Sequence, residues 1–229
     1  MASGSASVAS GSRIVGVGDA AAPDKARFRL GVLVSGRGTN LQAILDAVRR
    51  GELQVEIALV VCNHKEAGAI ERAWQAGVPV EVHELRAYAS RLAQQEGIAS
   101  RLEQARVDLV VCAGWDRVLE LQVVRRFAGR IINVHPSLLP AFGGGLHAIE
   151  DALRYGVKIT GCTVHFVTEE VDTGPIISQA AVPVLPDDMY DTLAERIHAE
   201  EHRLLVEAIK LYSQGKLEVD GRVVRIRNA

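Results

Sequence analysis

The stretch FRLGVLVSGRGTNLQAILDAVRRGELQVEIALVVC, residues 28–62, decides the fold class. Residues 28–34 and 55–62 are apolar runs rich in β-branched side chains, which predict two buried strands. Between them, residues 40–51 carry apolar side chains at helical spacing and end at Gly51, which predicts a helix. A strand, a helix and a second strand in this order are typical of a parallel sheet.

The same alternation continues along the chain and predicts an α/β fold. Five strands of this kind predict an open, doubly wound, Rossmann-like, mostly parallel sheet, which binds ligands outside the carboxyl ends of its strands. After residue 145 the pattern changes and predicts a C-terminal antiparallel extension. Trp74 and the apolar faces of the helices are expected to lie in the core. The remaining predicted helices cover 66–76, 87–105, 146–156 and 187–213, and the remaining strands cover 78–83, 107–114, 130–135, 159–167, 174–184 and a hairpin at 216–226.

Composition points to small-molecule ligands. The chain has 229 residues, of which 48% are hydrophobic and 24% charged, with a formal net charge of −2. No block of Lys and Arg is present, so neither nucleic acid nor an anionic membrane surface is an expected partner. No segment approaches the roughly 18 consecutive apolar residues that span a bilayer.

The cysteines and the N-terminus bear on location and domain organisation. Cys62, Cys112 and Cys162 are isolated and lack CxxC spacing, so we expect buried, reduced thiols in a reducing compartment, the cytoplasm. Histidines and carboxylates form no evident ligand set, and no metal is predicted. Residues 1–27 are rich in Gly, Ser and Ala and are expected to form a flexible leader, with an organellar address left open; residues 28–229 are predicted to be one domain.

The motif SGRGTN, residues 35–40, directly follows the first strand and opens a helix. Its glycines allow a sharp turn, and free N–H groups at a helix N-terminus, with the side chains of Thr39 and Asn40, form a natural phosphate seat. The alternative is a tight turn in which Thr39 or Asn40 is only the N-cap. The motif is not GxGxxG and lacks the P-loop lysine, so a dinucleotide or ATP site is not indicated.

Two further stretches carry polar groups that suit proton transfer. In INVHPSLLP (132–140), Asn133 and His135 lie two apart at a strand end, so both side chains face one side of the sheet. In TEEVDTGPI (168–176), Asp172 can hold an imidazole in one tautomer if the loop reaches it. The alternatives are a packed structural histidine and a merely solvated acidic loop. Without a GxSxG nucleophile motif, the set suits direct acyl or formyl transfer rather than a covalent acyl-enzyme.

Five segments together resemble the phosphoribosylglycinamide formyltransferase family of folate-dependent formyltransferases. The resemblance covers roughly residues 29–224 and implies transfer of a formyl group from 10-formyltetrahydrofolate to glycinamide ribonucleotide in purine biosynthesis. A monomer or homodimer is expected. The segments are VLVSGRGTNLQAILDA (32–47), AGWDRVL (113–119), INVHPSLLPAF (132–142), GCTVHFVTEEVDTGPII (161–177) and HAEEHRLL (198–205).

The resemblance also implies roles for individual residues. Asn133, His135 and Asp172 match the family's catalytic trio, in which the amide stabilises the oxyanion and the histidine and aspartate move the proton. The matching amine-substrate residues are Gly38, Thr39 and Asn40 for the phosphate and Glu201 for the ribose. The matching folate-binding residues are Arg91, Arg117, Val118, Leu119, Val167, Thr168, Glu169, Glu170 and Val171.

The chain departs from the family pattern at two places. Where an aromatic-Pro-Gly run is usual, AFGGGLHAIEDAL (141–153) lacks the proline and has three consecutive glycines, which predicts a mobile loop. Asp116 stands where an apolar residue, often methionine, is usual beside the folate. Among the other histidines, His165 either lines the site or is packed, and His147 and His202 are expected to cap or pack helices.

Three alternative functions stay open. Formyltetrahydrofolate deformylase resembles GVKITGCTVHF (156–166) but has an additional regulatory domain, for which residues 1–27 are too short. Methionyl-tRNA formyltransferase usually has an Arg-Gly pair after LLP and a further β-domain, neither of which occurs here. A non-catalytic folate- or nucleotide-binding module on the same fold is the third, because fold alone does not establish function.

Overall fold

The structure, a computed structural model, describes residues 27–227, so the predicted leader lies outside the described residues except for Arg27. Its strands form one sheet with the order β3-β2-β1-β4-β5-β6-β7-β9-β8. The strands are β1 (Phe28–Val34), β2 (Val55–Cys62), β3 (Val80–Val82), β4 (Leu109–Cys112), β5 (Ile131–His135), β6 (Ile159–Phe166), β7 (Ile176–Pro183), β8 (Leu217–Asp220) and β9 (Val223–Ile226). The α-helices are α1 (Thr39–Arg49), α2 (Gly68–Gln75), α3 (Arg91–Gln104), α4 (Leu121–Arg126), α5 (Ala148–Tyr155) and α6 (Tyr190–Ser213).

The sheet is parallel in its first half and largely antiparallel in its second. Strands β1 to β5 pair in parallel, whereas β6 is antiparallel to both β5 and β7, and β8 is antiparallel to β9. The predicted α/β fold class, with its antiparallel C-terminal extension, is therefore confirmed. Because β1 lies between β2 and β4, the strand order reverses there and opens a crevice at the carboxyl ends.

The apolar runs of the central strands are explained by two buried layers. On one face, Leu30 and Val32 of β1 pack in the cluster that contains Ile44 of α1 and Ile197 of α6. On the other face, Leu33 packs in the cluster that contains Leu102 and Phe127. Alternate side chains of one strand thus enter opposite layers. Each such fully buried side chain stabilises the fold by roughly 1.5–3 kcal/mol.

Element boundaries differ from the sequence-based expectation mainly at ends. The long helix expected over 87–105 is a 3-10 turn, Leu85–Ala87, followed by α3, because the Ser90 hydroxyl accepts a hydrogen bond from the Ala93 amide and starts a new helix. Helix α4 was not expected. Its six residues are too few for apolar periodicity to stand out.

The expectation that Trp74 lies in the core is wrong. Its residue surface is 71% exposed, whereas Ala69 and Ala73 of the same helix are fully buried. Helix α2 therefore packs against the sheet through small alanines, which bring its axis close. Residue 74 follows Ala73 by about 100° around the helix, so its side chain is directed away from that contact.

Cys62, Cys112 and Cys162 are free and buried, as expected. Burial raises the pKa of the Cys112 and Cys162 thiols to about 12, so both are protonated and unreactive at neutral pH. Within residues 27–227 no helix is long and apolar enough to cross a membrane. In the same range no three His, Cys, Asp or Glu side chains are grouped so that they hold a metal ion.

Candidate active site

A cleft of about 180 Å³ opens at the carboxyl ends of β4 and β5. It lies at the carboxyl-end edge of the sheet, next to the reversal of strand order between β1 and β4, and sheets of this kind bind ligands at that edge. The polar side chains of Asn133, His135, His165 and Asp172 line it together. The remaining lining residues are Cys112, Trp115, Asp116, Arg117, Val118, Leu119, Val124, Gly144, Gly145, Leu146, Val167, Thr168, Glu169 and Val171.

Strand β5 delivers two of these polar groups. Ile131 and Ile132 anchor the strand in the two buried layers, and its last alternate side chains, Asn133 and His135, reach the cleft. Pro136 follows at once and has no amide N–H for a further ladder bond. Burial of the strand therefore fixes where the two polar side chains emerge.

His135 lies between two oxygen acceptors. Its Nε2 is 2.9 Å from the carbonyl oxygen of Phe142, and its Nδ1 is 3.5 Å from Oδ2 of Asp172. Both side chains are largely buried, with 7% and 12% of their surfaces exposed. A protonated imidazole presents an N–H to each acceptor, so the arrangement suits a ring that gains and loses a proton during a reaction.

Asp172 is held in place by backbone. The amide of Gly144 donates a hydrogen bond to Oδ2 of Asp172 at 2.8 Å, and Asp172 itself adopts a left-handed backbone with φ 55°. Non-glycine residues rarely adopt this conformation, and those that do are often found at functional sites. The glycine run at 143–145 therefore does more than connect β5 to α5, because one of its amides orients the carboxylate.

The carbonyl group that faces His135 belongs to a loop that Thr163 fixes. The Thr163 hydroxyl donates to the Ser137 carbonyl at 2.7 Å and accepts from the Leu139 amide at 3.1 Å. Gln179 donates to Oγ1 of Thr163 at 2.9 Å and to the Leu139 carbonyl at 3.1 Å. Strands β6 and β7 thus hold residues 137–142, and through them the carbonyl of Phe142.

His165 belongs to the site rather than only to the core. It is paired with Asn133 across the β5–β6 ladder, and its Nε2 lies 3.2 Å from the Asn133 amide nitrogen and 3.6 Å from Oδ1 of Asp172. Burial lowers its pKa, against a bond from Nδ1 to the Phe166 carbonyl that raises it. The ring is therefore neutral at pH 7. The sequence left both roles open, since the pairing with Asn133 depends on strand register.

The candidate phosphate seat has the glycine turn at a helix N-terminus that the sequence predicts, but a different N-cap residue from the one that the alternative named. Gly38, with φ 74°, is the N-cap of α1, so the expectation that Thr39 or Asn40 caps the helix is wrong. A Cβ at residue 38 would lie 2.7 Å from Ala69, which leaves room only for glycine. The backbone of this turn can therefore pack closely against helix α2, because residue 38 has no side chain.

Asn40 and Glu201 are partners, although 161 positions separate them. The Asn40 amide donates to Oε2 of Glu201 at 3.0 Å, and both residues are buried. Burial raises the pKa of Glu201 to about 7, and the bond from Asn40 offsets part of that effect. Oδ1 of Asn40 has no hydrogen-bond partner among the described residues. The pair is thus a buried polar site within an apolar layer.

Most of the expected folate-binding residues line the cleft. Arg117, Val118, Leu119, Val167, Thr168, Glu169 and Val171 line it, whereas Arg91 and Glu170 do not. Arg91 instead donates to Glu120, beyond the cleft wall. Three apolar side chains are exposed at the rim, Val118 at 51%, Leu146 at 65% and Val171 at 44%. Apolar surface left open around a polar centre marks a ligand site.

Two other histidines lie off the cleft. His147 precedes α5 as its N-cap residue without a side-chain capping bond, and its Nδ1 is 3.7 Å from Glu150. His202 is on α6, and its Nε2 is buried without a hydrogen-bond partner in the described part of the chain. For His202 the expected packing role agrees with its buried Nε2. His147 occupies the N-cap position, but its side chain makes no capping hydrogen bond.

Comparison with known proteins gives consistent results. The family model described as formyl transferase matches residues 28–209. A phosphoribosylglycinamide formyltransferase from Haemophilus influenzae is 39% identical over 191 residues, covering 83% of this chain and 90% of that protein. The solved structure of glycinamide ribonucleotide transformylase 1 from Symbiobacterium toebii has 50% identity and a TM-score of 0.86, covering 88% of this chain and 95% of that one.

A longer relative contains a similar segment. The trifunctional purine biosynthetic protein adenosine-3 of Drosophila melanogaster is 46% identical over 191 residues, which is 82% of this chain. This chain spans only 14% of the length of that protein. The similarity therefore concerns one part of a much longer polypeptide.

Proposed function

The chain belongs to the formyl transferase family, and from that premise we propose that it transfers the formyl group of 10-formyltetrahydrofolate directly to the amine of glycinamide ribonucleotide, a step of purine biosynthesis. One observation carries the proposal. The side chains of Asn133, His135 and Asp172 meet in a single cleft that is also lined by exposed apolar side chains. This combination suits a polar reaction on a co-substrate whose ring systems pack against apolar side chains.

In the proposed reaction the amine nitrogen attacks the formyl carbon, whose carbonyl oxygen becomes an oxyanion. The Asn133 amide donates a hydrogen bond to that oxygen, which stabilises the charge only as it develops. The bond between the formyl carbon and the folate nitrogen then breaks. His135 moves the proton from the attacking amine to the departing nitrogen, and Asp172 holds the ring and stabilises its cation.

The two substrates are assigned to adjoining regions of the strand ends. We assign the folate to the wall formed by Arg117–Leu119 and residues 167–172. The phosphate of the nucleotide is assigned to the turn at Gly38–Asn40, where the N-terminus of α1 offers backbone N–H groups to an anion. We assign the ribose hydroxyls to Glu201, as the family resemblance implies; its hydrogen bond from Asn40 connects it to the turn assigned to the phosphate. Contacts of Arg91 and Glu170 with folate rest on family resemblance alone.

The proposal includes location and assembly. Three free cysteines suit a reducing compartment, and we propose the cytoplasm. A monomer or a homodimer suffices, because the residues assigned to both substrates come from one chain. Sedimentation of the purified protein at micromolar concentration distinguishes the two states.

The competing function is hydrolysis, since water in place of the amine uses the same oxyanion donor and the same base. The test incubates the purified protein with 10-formyltetrahydrofolate, with and without glycinamide ribonucleotide, and follows tetrahydrofolate by absorbance and the nucleotide by mass spectrometry. Formylated nucleotide formed only when both are present supports the transferase. Deformylation at the same rate with and without the nucleotide supports a hydrolase. No turnover under either condition supports a non-catalytic binding module.

A further inference from the structure

Asp116 lies on the wall of the cleft, but its carboxylate is bonded to the ends of other strands. The Ser35 hydroxyl donates to Oδ1 at 3.0 Å and the Asn63 amide donates to the same oxygen at 2.7 Å. Nε2 of His64 lies 2.8 Å from Oδ2. In return, the backbone amide of Asp116 donates to Oγ of Ser35 at 2.9 Å. We call this set of contacts the Asp116 link.

The link joins three strand ends at the point where the order of the sheet reverses. Ser35 directly follows β1, Asn63 and His64 directly follow β2, and Asp116 lies four residues beyond β4. The Ser35 amide also donates to the Gly114 carbonyl at 3.0 Å. Ser35 continues into the turn at Gly36–Asn40, while Asp116 continues into the wall at Arg117–Leu119. One carboxylate therefore connects the two regions that we assign to the two substrates.

The charge of Asp116 strengthens these contacts. Burial alone raises the pKa of this half-buried carboxyl, but hydrogen bonds from His64, Asn63 and Ser35 outweigh it and leave the pKa below its ordinary value. Arg117 adds a cation 3.6 Å from Oδ1. The carboxylate is therefore ionised at neutral pH, and hydrogen bonds to an ionised acceptor are stronger than neutral ones.

We propose that Asp116 is a positioning residue that fixes the distance between the turn at Gly36–Asn40 and the wall at Arg117–Leu119 before either substrate binds. The assignment of substrates to these two regions rests on the proposed function; the mechanical connection does not. Because the link already orders both regions, neither substrate has to supply that ordering when it binds. The two reacting groups are then brought together without a prior rearrangement.

The test compares Asp116→Leu, which removes the acceptor, with Asp116→Asn, which keeps a carbonyl oxygen for Ser35 and Asn63. Glu66→Leu is the matched control, because it removes an 85% exposed carboxylate from the same loop as His64 without touching the link. Amide hydrogen exchange is measured first, on the ligand-free proteins. Asp116→Leu is expected to accelerate exchange at 35–38 and at 114–119 together, by at least about tenfold. Asp116→Asn, which keeps the acceptor for Ser35 and Asn63 but loses the charge, is expected to accelerate exchange less, and Glu66→Leu is expected to leave both segments near wild type.

Kinetics give the second readout. In Asp116→Leu the KM for each substrate is expected to rise about tenfold while kcat at saturation stays within about threefold, because bound substrates restore the ordering. Folate affinity in this variant should also improve when the nucleotide is bound, and the same coupling is expected to be weaker in the wild-type protein. A merely structural defect lowers the melting temperature without this split between KM and kcat.

The proposal is overturned if exchange at the two segments is unchanged in Asp116→Leu, if only one segment responds, or if Asp116→Asn is as impaired as Asp116→Leu. The exchange measurement needs no substrate. If wild-type protein forms no formylated nucleotide, the proposed function fails, while exchange still decides whether Asp116 fixes the two regions.

Discussion

The side-chain amide of Asn133 lies 3.2 Å from Nε2 of His165, across the antiparallel ladder between β5 and β6. Nδ1 of the same ring lies 2.9 Å from the Phe166 carbonyl, which only accepts, so Nδ1 carries the proton. In the neutral ring Nε2 is then an acceptor, and Asn133 donates one N–H to it. The second N–H of that amide stays available for an oxyanion.

This relationship predicts the effect of His165→Leu. Without the acceptor on the ring, the Asn133 amide rotates more freely and its second N–H is no longer aimed. We expect kcat to fall about tenfold with little change in KM, because the oxyanion exists only in the transition state. Steady-state kinetics at saturating substrates check this. An equal rise in KM with kcat unchanged would assign His165 to substrate binding instead.

Asp172→Asn separates the charge of this residue from its position. Asparagine tolerates the left-handed backbone at φ 55° and still accepts the hydrogen bond from Gly144. The negative charge beside His135 is lost, so its cation is less stabilised. We expect kcat to fall by about 10–100-fold with the melting temperature near that of wild type. Unchanged kcat would show that Asp172 acts only through its backbone position.

A matched pair on β6 tests how the loop before Phe142 is held. Thr160 and Thr163 are both buried, but Oγ1 of Thr160 has no partner among the described residues, whereas Oγ1 of Thr163 makes three bonds. Thr163→Val should lower the free energy of unfolding by about 1–3 kcal/mol and reduce kcat, since polar groups lose their partner. Thr160→Val should be neutral or stabilising. Urea denaturation of the two variants decides, and equal losses would contradict the account.

Glu201 predicts a pH dependence of stability. Its pKa is raised to about 7 in the folded state from an ordinary value of 4.5, mainly by burial. Between these values the folded state binds the proton more tightly than the unfolded state, so stability falls as pH rises from 4.5 to 7. Glu201→Gln removes that loss. The variant should exceed wild type by up to roughly 3 kcal/mol above pH 7 and match it near pH 4.5.

Denaturation curves across this pH range measure the difference between the two proteins. A difference that does not change with pH would show that Glu201 is not the titrating group. The same substitution that raises stability should weaken nucleotide binding, because the ionised carboxylate is a better acceptor for ribose hydroxyls than the amide of glutamine. The KM for glycinamide ribonucleotide is therefore expected to be higher in Glu201→Gln.

Local patterns predicted the strands, the fold class and the family. The apolar run 28–34, the glycines of 35–40 and the spacing of Asn133 and His135 each express a local constraint, namely burial, turn geometry and strand alternation. The family assignment from five ordered motifs is confirmed, because the formyl transferase model matches residues 28–209. The catalytic roles of Asn133, His135 and Asp172 stay predictions.

Contacts between distant residues could not be predicted in the same way. The partnership of Asn40 with Glu201, the bonds of Asp116 to Ser35 and Asn63, and the pairing of Asn133 with His165 all depend on how elements pack. Strand register and helix docking determine them, and hydrophobic periodicity carries no information on either. For the same reason, the exposure of Trp74 could not be foreseen from the pattern of its helix.

The turnover of His135→Ala, with both substrates saturating, tests the central claim most directly. If His135 moves the proton from amine to folate nitrogen, kcat should fall by at least about 100-fold while circular dichroism shows an unchanged fold. A correctly folded variant with near-wild-type turnover would contradict the assignment of His135 and, with it, the proposed site.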